Sequence, residues 1–222
     1  ADTREPNNSR WYTGGGLYRD VTVVVTDPNF YLMRHPIYIT TPQVSESEAT
    51  VNVQVEMACY TNQKTLKTEL VITDAAGNEV ARQTEDLVFN RKMRTCEYPL
   101  KEVKLTNPKL WDCEHPHLYT AKVTIYHENG EVADCVTERF GVRSLEFSPK
   151  FGMKLNGKKI LLKGIANHHS LGALGSAAYP RAIEKRIQML KEFGVNHIRT
   201  SRNPYSEEFM DLCDEYGILV VD

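Results

Sequence analysis

The sequence lacks any apolar run approaching the roughly 20 residues that a membrane-spanning helix needs, so no membrane partner is expected. It also lacks a basic excess, with 27 Lys and Arg against 29 Asp and Glu. A formal net charge of -2 leaves no surplus cations to neutralise phosphates, and no nucleic-acid partner is expected. The opening residues Ala1-Asp2-Thr3-Arg4-Glu5 have no apolar signal-peptide core, which leaves the compartment open between cytoplasm and periplasm. None of the five cysteines (Cys59, Cys96, Cys113, Cys135 and Cys213) falls in a Cys-x-x-Cys pair. That argues against a zinc ribbon or a thioredoxin-type site. Buried thiols acting as small hydrophobes are expected, with a Cys59–Cys96 or Cys113–Cys135 disulfide left open. A Gly-rich phosphate loop, a G-x-S-x-G elbow and an H-E-x-x-H helix are all missing. So is a convincing pair of catalytic carboxylates: Glu207 and Glu208 sit where a helix begins, and negative charge there complements the macrodipole.

What is present divides into three stretches. Over residues 36–146 the pattern is all-β. Val51, Val53, Val55 and Met57 alternate with Asn52, Gln54 and Glu56, the period of a strand with one buried face. A second strand, Leu66 to Thr73, ends at Ala75-Ala76-Gly77-Asn78. A third, Ala121 to Tyr126, reaches Glu128-Asn129-Gly130 before Val132 to Phe140 begins. Asn129-Gly130 predicts a type I′ hairpin turn. Short strands and turns over about 100 residues predict an Ig-like antiparallel β-sandwich, without the Cys…Trp…Cys pattern of antibody domains. Residues 1–35 do not read as its start. Gly14-Gly15-Gly16 is a break, and Val21 to Thr26 is a lone strand before the turn Asp27-Pro28-Asn29.

After residue 147 helical and strand periods alternate. Lys159 to Gly164 reads as a short strand, followed by a helix with Pro180 in its first turn. Ile183, Ile187, Leu190 and Phe193 form its apolar face, and Gly194 stops it. Val195 to Thr200 is the next strand, and Ser206 caps a helix burying Phe209, Leu212, Cys213 and Tyr216 before Gly217. Ile218 to Val221 is the last strand. This β-α-β-α-β order over residues 147–222 predicts a parallel sheet with helices on its face, the first strands and helices of a TIM (β/α)8 barrel. Such strands gather their reactive groups at their C-terminal ends. Here these are Asn167-His168-His169, then Ser201-Arg202-Asn203 with Arg199 just inside, then Asp222. Adjacent histidines at a strand end point apart, so His168 and His169 are not expected to chelate one ion together. An open three-stranded edge also predicts exposed apolar surface, and a segment poorly ordered alone or packed on another copy, so a homo-oligomer is allowed.

The run Lys163-Gly164-Ile165-Ala166-Asn167-His168-His169 with Leu171 to Gly175, then Ile198-Arg199-Thr200-Ser201-Arg202-Asn203-Pro204, then Leu212-Cys213-Asp214-Glu215-Tyr216-Gly217, resembles the β-galactosidases of glycoside hydrolase family 2. Ser9 to Arg19 is similar to the end of that family's sugar-binding jelly roll, which makes residues 1–35 its C-terminal tail. Leu110-Trp111 through Tyr119, and Phe140 to Arg143, are similar to its Ig-like domain, and Asn156-Gly157-Lys158 to the lead-in of its barrel. The resemblance implies a retaining exo-β-glycosidase acting on terminal β-D-galactosides. Its two glutamates, about 5–5.5 Å apart, would lie at later strands beyond Asp222. The isolated chain is therefore expected to be inactive. His168 matches the family's sugar-contacting histidine, with Asn167, Asn203, Ser9 and Arg10 as further substrate contacts. Arg202 stands where the family usually carries histidine. A permanent cation that cannot accept a hydrogen bond argues against plain galactose and would favour an acidic or sulfated sugar. The resemblance implies a carbohydrate substrate, no metal and no cofactor within these residues, and cation sites, where relatives have them, further along. A β-glucuronidase or mannosidase, or a non-catalytic carbohydrate-binding sandwich, stays open beside this reading.

Overall fold

A computed structural model of the chain describes residues 17–60, 65–88, 93–201 and 205–221. One sheet of the sandwich holds β1 (Phe30–Val44), β2 (Glu48–Cys59), and along the far edge of β2 both β5 (Met93–Pro99) and β6 (Val103–Thr106). The other runs in the order β4-β3-β7-β8, from β3 (Thr65–Thr73), β4 (Glu79–Val88), β7 (Tyr119–Tyr126) and β8 (Val132–Phe140). All pairings in both sheets are antiparallel. The alternation read in β2 is realised: Val51, Val53, Val55 and Met57 are buried against Leu66, Leu70 and Ile72 of β3 and Val123 and Ile125 of β7. This is an Ig-like two-sheet core.

The first strand begins at Phe30, before a break between Leu32 and Ile37 where His35 takes a left-handed φ of 53°. The strand expected at Val21 to Thr26 does not form. Those residues pair with no strand among the described residues, and Val21, Val23, Val24 and Val25 are exposed. β-branched composition gives an extended backbone, but a ladder needs a neighbouring edge.

The hairpin turns also differ from expectation. At Asn129-Gly130 only Gly130 has positive φ (86°), Gly130 N–H donates to the His127 carbonyl (2.9 Å), and His127 N–H donates to Glu131 (2.8 Å). That is a type I turn closed by a left-handed glycine, not type I′. The turn at Gly77 (φ 83°) is built in the same way from Asp74 to Asn78. The type I′ geometry lies instead at Asn156-Gly157 (φ 50° and 73°), joining β10 (Gly152–Leu155) to β11 (Lys158–Ile160). With β9 (Leu145–Ser148) these strands make a small antiparallel sheet leading out of the sandwich.

Beyond it lies a parallel sheet in the order β12 (Gly164–Asn167), β13 (His197–Thr200), β14 (Leu219–Val221). The first parallel strand is thus Gly164–Asn167, not Lys159 to Gly164, whose first residues are taken by β11. Helix α1 (Pro180–Glu192) follows a 3-10 segment at Gly172–Ala177, and α2 (Glu207–Tyr216) precedes β14. Ile183 and Ile187 of α1 and Phe209 and Cys213 of α2 pack with Ile198 and Ile218 in a second core. Phe193, expected on the buried face, is 82% exposed. It is the residue at which α1 ends. Gly194 N–H bonds the Lys191 carbonyl and Val195 N–H that of Leu190, a Schellman closure that carries Phe193 off the apolar stripe. Ser206 caps α2 as expected, its hydroxyl accepting from Phe209 N–H. All five cysteines are free thiols, so neither disulfide forms. No described helix is long and apolar enough to cross a membrane.

Candidate functional site

Because the three strands run parallel, Asn167, Thr200 and Val221 close their ladders at one edge. Gly164 opens the first of these strands opposite His197. A Cβ there would lie 2.1 Å from His197 Nδ1 and 2.8 Å from its carbonyl oxygen. Asn196 ties the opposite, N-terminal ends together. Its Oδ1 accepts from Lys163 N–H (2.8 Å), its Nδ2 donates to the Leu161 carbonyl (3.0 Å), and its own carbonyl accepts from Leu219 N–H (2.9 Å).

At the C-terminal edge the polar groups join one another. Ser201 N–H donates to the Asn167 carbonyl at 3.0 Å, and the Tyr205 hydroxyl donates to the same oxygen. Thr200 Oγ1 donates to the Val221 carbonyl at 3.3 Å. Thr200 and Ser201 are both buried. Arg199, one residue inside, is exposed on the face opposite buried Ile198 and Thr200.

Behind this edge stands Arg186, on the apolar side of α1 between Ile183 and Leu190. Its Nη1 donates to Asn167 Oδ1 (3.1 Å) and the His168 carbonyl (3.0 Å), and its Nη2 to the Ser170 carbonyl (2.7 Å). Sequence reading missed it. The signal was available: an arginine on the helix stripe marked by Ile183, Ile187 and Leu190 needs buried acceptors. The Asn167 side chain is therefore held against the helix layer, and its Nδ2 is buried without a partner among the described residues. His168 is half-buried at the strand exit. His169 shares a hydrogen bond between Nε2 and Ser176 Oγ (3.2 Å), and the Tyr18 ring stacks on it at 5.7 Å and 27°. Burial first, then the nearby Arg19 and His168, hold the His169 imidazole below its ordinary pKa.

Ser9, Arg10, Arg202, Asn203 and Asp222 lie outside the described residues. Glu207 and Glu208 occupy the exposed first turn of α2, and Glu207 meets Arg34 Nη2 at 2.9 Å, which agrees with their structural reading. Among the described residues no group of three or more His, Cys, Asp or Glu is placed to hold a metal ion.

A third core joins the sandwich to the parallel unit. Trp111 and Cys113, in the loop before β7, pack with Leu155 and Leu219. Trp111 Nε1 donates to the Asp214 carbonyl (2.8 Å), Lys191 Nζ donates to the Cys113 carbonyl (2.7 Å), and Arg143 lies over the indole at 4.7 Å. Burial pushes the Arg143 guanidinium below its ordinary range, with Asp214 acting in the opposite direction. A groove of about 490 Å3 opens beside this junction, lined by Lys109, Asp112, His115, Glu146 and Lys158 among others, and no residue at the C-terminal edge of the parallel sheet lines it.

Residues 35–143 match the family described as glycosyl hydrolases family 2, and residues 150–222 match the TIM barrel domain of the same family. The chain is 35% identical to a β-galactosidase of Bacteroides ovatus over 233 residues, covering 100% of this chain and 26% of that protein. It is 36% identical over 214 residues to a putative β-glucuronidase of Formosa agariphila, covering 96% of this chain and 25% of that one. The crystal structure of a glycosyl hydrolase family 2 member from Bacteroides cellulosilyticus superposes with a TM-score of 0.91 at 33% identity, over 98% of this chain and 30% of that one. A Bacteroides uniformis β-glucuronidase gives 0.77 at 26% identity, over 87% and 24%. The chain thus spans about a quarter of the length of the curated relatives it matches.

Proposed function

The chain belongs to glycosyl hydrolases family 2, and from that membership we propose that it forms the binding part of a retaining exo-β-glycosidase, a β-galactosidase before other members. The observation that carries the reading is the C-terminal edge of the parallel sheet. There Asn167, His168, Thr200 and Ser201 come together from two strands with their backbone already hydrogen-bonded. Such an edge is where barrels of this class hold substrate.

In this proposal His168 contacts the sugar. An uncharged imidazole donates to one hydroxyl and accepts from the next, and those bonds tighten as the ring flattens toward an oxocarbenium ion. Asn203, Ser9 and Arg10 complete the contacts. The proton donor and the nucleophile are glutamates outside these residues, as are the ligands of any cation, so the purified chain alone hydrolyses nothing. Robust turnover of a nitrophenyl β-galactoside by the isolated chain would overturn that.

A β-glucuronidase is the competing reading, and Arg202 is its specific support. A guanidinium pairs bidentately with a carboxylate, and a histidine does not. The deciding assay is a panel of nitrophenyl β-galactoside, β-glucuronide and a sulfated galactoside on the full-length protein and its Arg202→His variant. The substitution is expected to move the ratio of neutral to acidic substrate by about tenfold or more toward neutral. An unmoved ratio removes Arg202 from specificity, and a wild type that prefers glucuronide replaces the galactosidase reading. A third reading is a carbohydrate-binding sandwich with no catalysis of its own. Calorimetric silence of the chain toward galactosides, glucuronides and mannosides rejects it.

A further inference from the structure

We propose that Arg186 is the positioning residue of this site, holding the loop after the first parallel strand so that His168 is presented to the sugar. The inference rests on the reading of His168 as a sugar contact. Its physical basis is the fork of three hydrogen bonds, to Asn167 Oδ1 and the carbonyls of His168 and Ser170, that one guanidinium makes from α1. These acceptors span four residues of chain. Fixing two carbonyls and one side chain with a planar donor set fixes the peptide planes between them.

The direction of the loop follows. Asn167 is in register with Thr200, and its side chain is drawn back toward the helix layer by Arg186. The next side chain along an extended backbone faces the other way, which turns His168 toward the face that also carries Arg199. The Asn167 carbonyl is held from the opposite side by Ser201 N–H and the Tyr205 hydroxyl. The strand exit is thus clamped between α1 and the loop that follows the second strand. Asn167 becomes, on this account, part of the clamp and not a ligand. A half-buried arginine with its donors so placed is a costly feature to keep for helix packing alone.

The test uses the full-length protein with Arg186→Ala, Arg186→Lys and, as a control on the same helix, Lys191→Met. The control removes the bond to the Cys113 carbonyl, far along α1 from the loop. Arg186→Ala is expected to lower kcat on nitrophenyl β-galactoside about 100-fold, with a smaller change in KM, since misplacing a contact group acts on the transition state. Added guanidinium should restore part of the loss, and Arg186→Lys should recover little, because an ammonium lacks the planar fork. Amide exchange at residues 167–176 should quicken in Arg186→Ala and stay unchanged in Lys191→Met, whose kcat/KM stays within about threefold of wild type. The clamp is overturned if Arg186→Ala leaves loop exchange and kcat unchanged, or if Lys191→Met loses as much activity as Arg186→Ala. A wild type that cleaves no glycoside refutes the enzymatic reading instead, and loop exchange in Arg186→Ala then decides the clamp by itself.

Discussion

His169 and Gly164 show how much single residues settle at the strand edges. At Gly164 a methyl group would occupy the space of the His197 ring. At His169 the ring is used as a surface. It stacks on Tyr18 and bonds Ser176, and burial and then the Arg19 guanidinium hold its pKa below the ordinary imidazole value. A histidine whose folded pKa is depressed binds fewer protons folded than unfolded. The stability it contributes is whole above the ordinary imidazole range near about 6.5. It is lost as pH falls through that range toward the folded value. The contact between residues 17–20 and the parallel unit should therefore loosen on acidification. An NMR titration is expected to place the His169 transition below the ordinary histidine range and to move it part of the way back in Arg19→Gln. Recovery should be partial because burial is the larger cause, and an unmoved transition would remove Arg19 from the account.

The turns supply the clearest case at the scale of elements. Asn156 does three things at once. It accepts a left-handed φ, its Oδ1 takes Ser144 N–H (2.9 Å), and its Nδ2 donates to the Trp111 carbonyl (3.0 Å). Asn129 lies in an exposed turn, keeps negative φ, and among the described residues its side chain bonds Glu131 alone. Asn156→Ala is accordingly expected to destabilise the chain by about 2–4 kcal/mol, adding backbone strain to two lost part-buried bonds. Asn129→Ala should stay within about 0.5 kcal/mol. Urea unfolding of both variants checks the order, and equal midpoints would contradict it. The same pair shows what the residues alone could tell. Two Asn-Gly steps look identical in sequence, but the loop length and the packing of Trp111 decide which becomes type I′. Caps and helix stops were legible at Ser206, Gly194 and Gly217, because their signals act over one turn. The alternation of β2 was equally local. Val21 to Thr26 and the start of the first parallel strand were not legible, since each depends on which edge lies alongside. Arg186 escaped for the same reason: its acceptors sit 16 to 19 positions away along the chain.

For the molecule as a whole, the question is what the parallel unit rests on. Leu161, Leu162, Ile165 and Val221 of this unit are exposed apolar residues. On its other side the unit is seated on the sandwich through Trp111, which is 1% exposed. Gly217 belongs to that seat as well as to the stop of α2. Its φ is 71°, and an added Cβ would lie 2.4 Å from the Cys113 carbonyl oxygen. Arg139 with Asp211 and Glu215, and Arg34 with Glu207, add ion pairs around it. These are exposed pairs, worth at most about 1 kcal/mol each. The indole is the larger contribution, since it fills the junction and satisfies the Asp214 carbonyl. Trp111→Ala should cost about 3–5 kcal/mol, and the loss should fall unevenly. The sandwich core of β2, β3 and β7 does not include Trp111, so its amide protection should persist. Protection at residues 183–187 and 209–213, which depends on α1 and α2 staying seated, should fall first, and one unfolding transition should become two. Hydrogen exchange on the variant distinguishes this from a uniform loss. If both units lose protection together, the sandwich is more than a seat, and the junction is part of a single cooperative core.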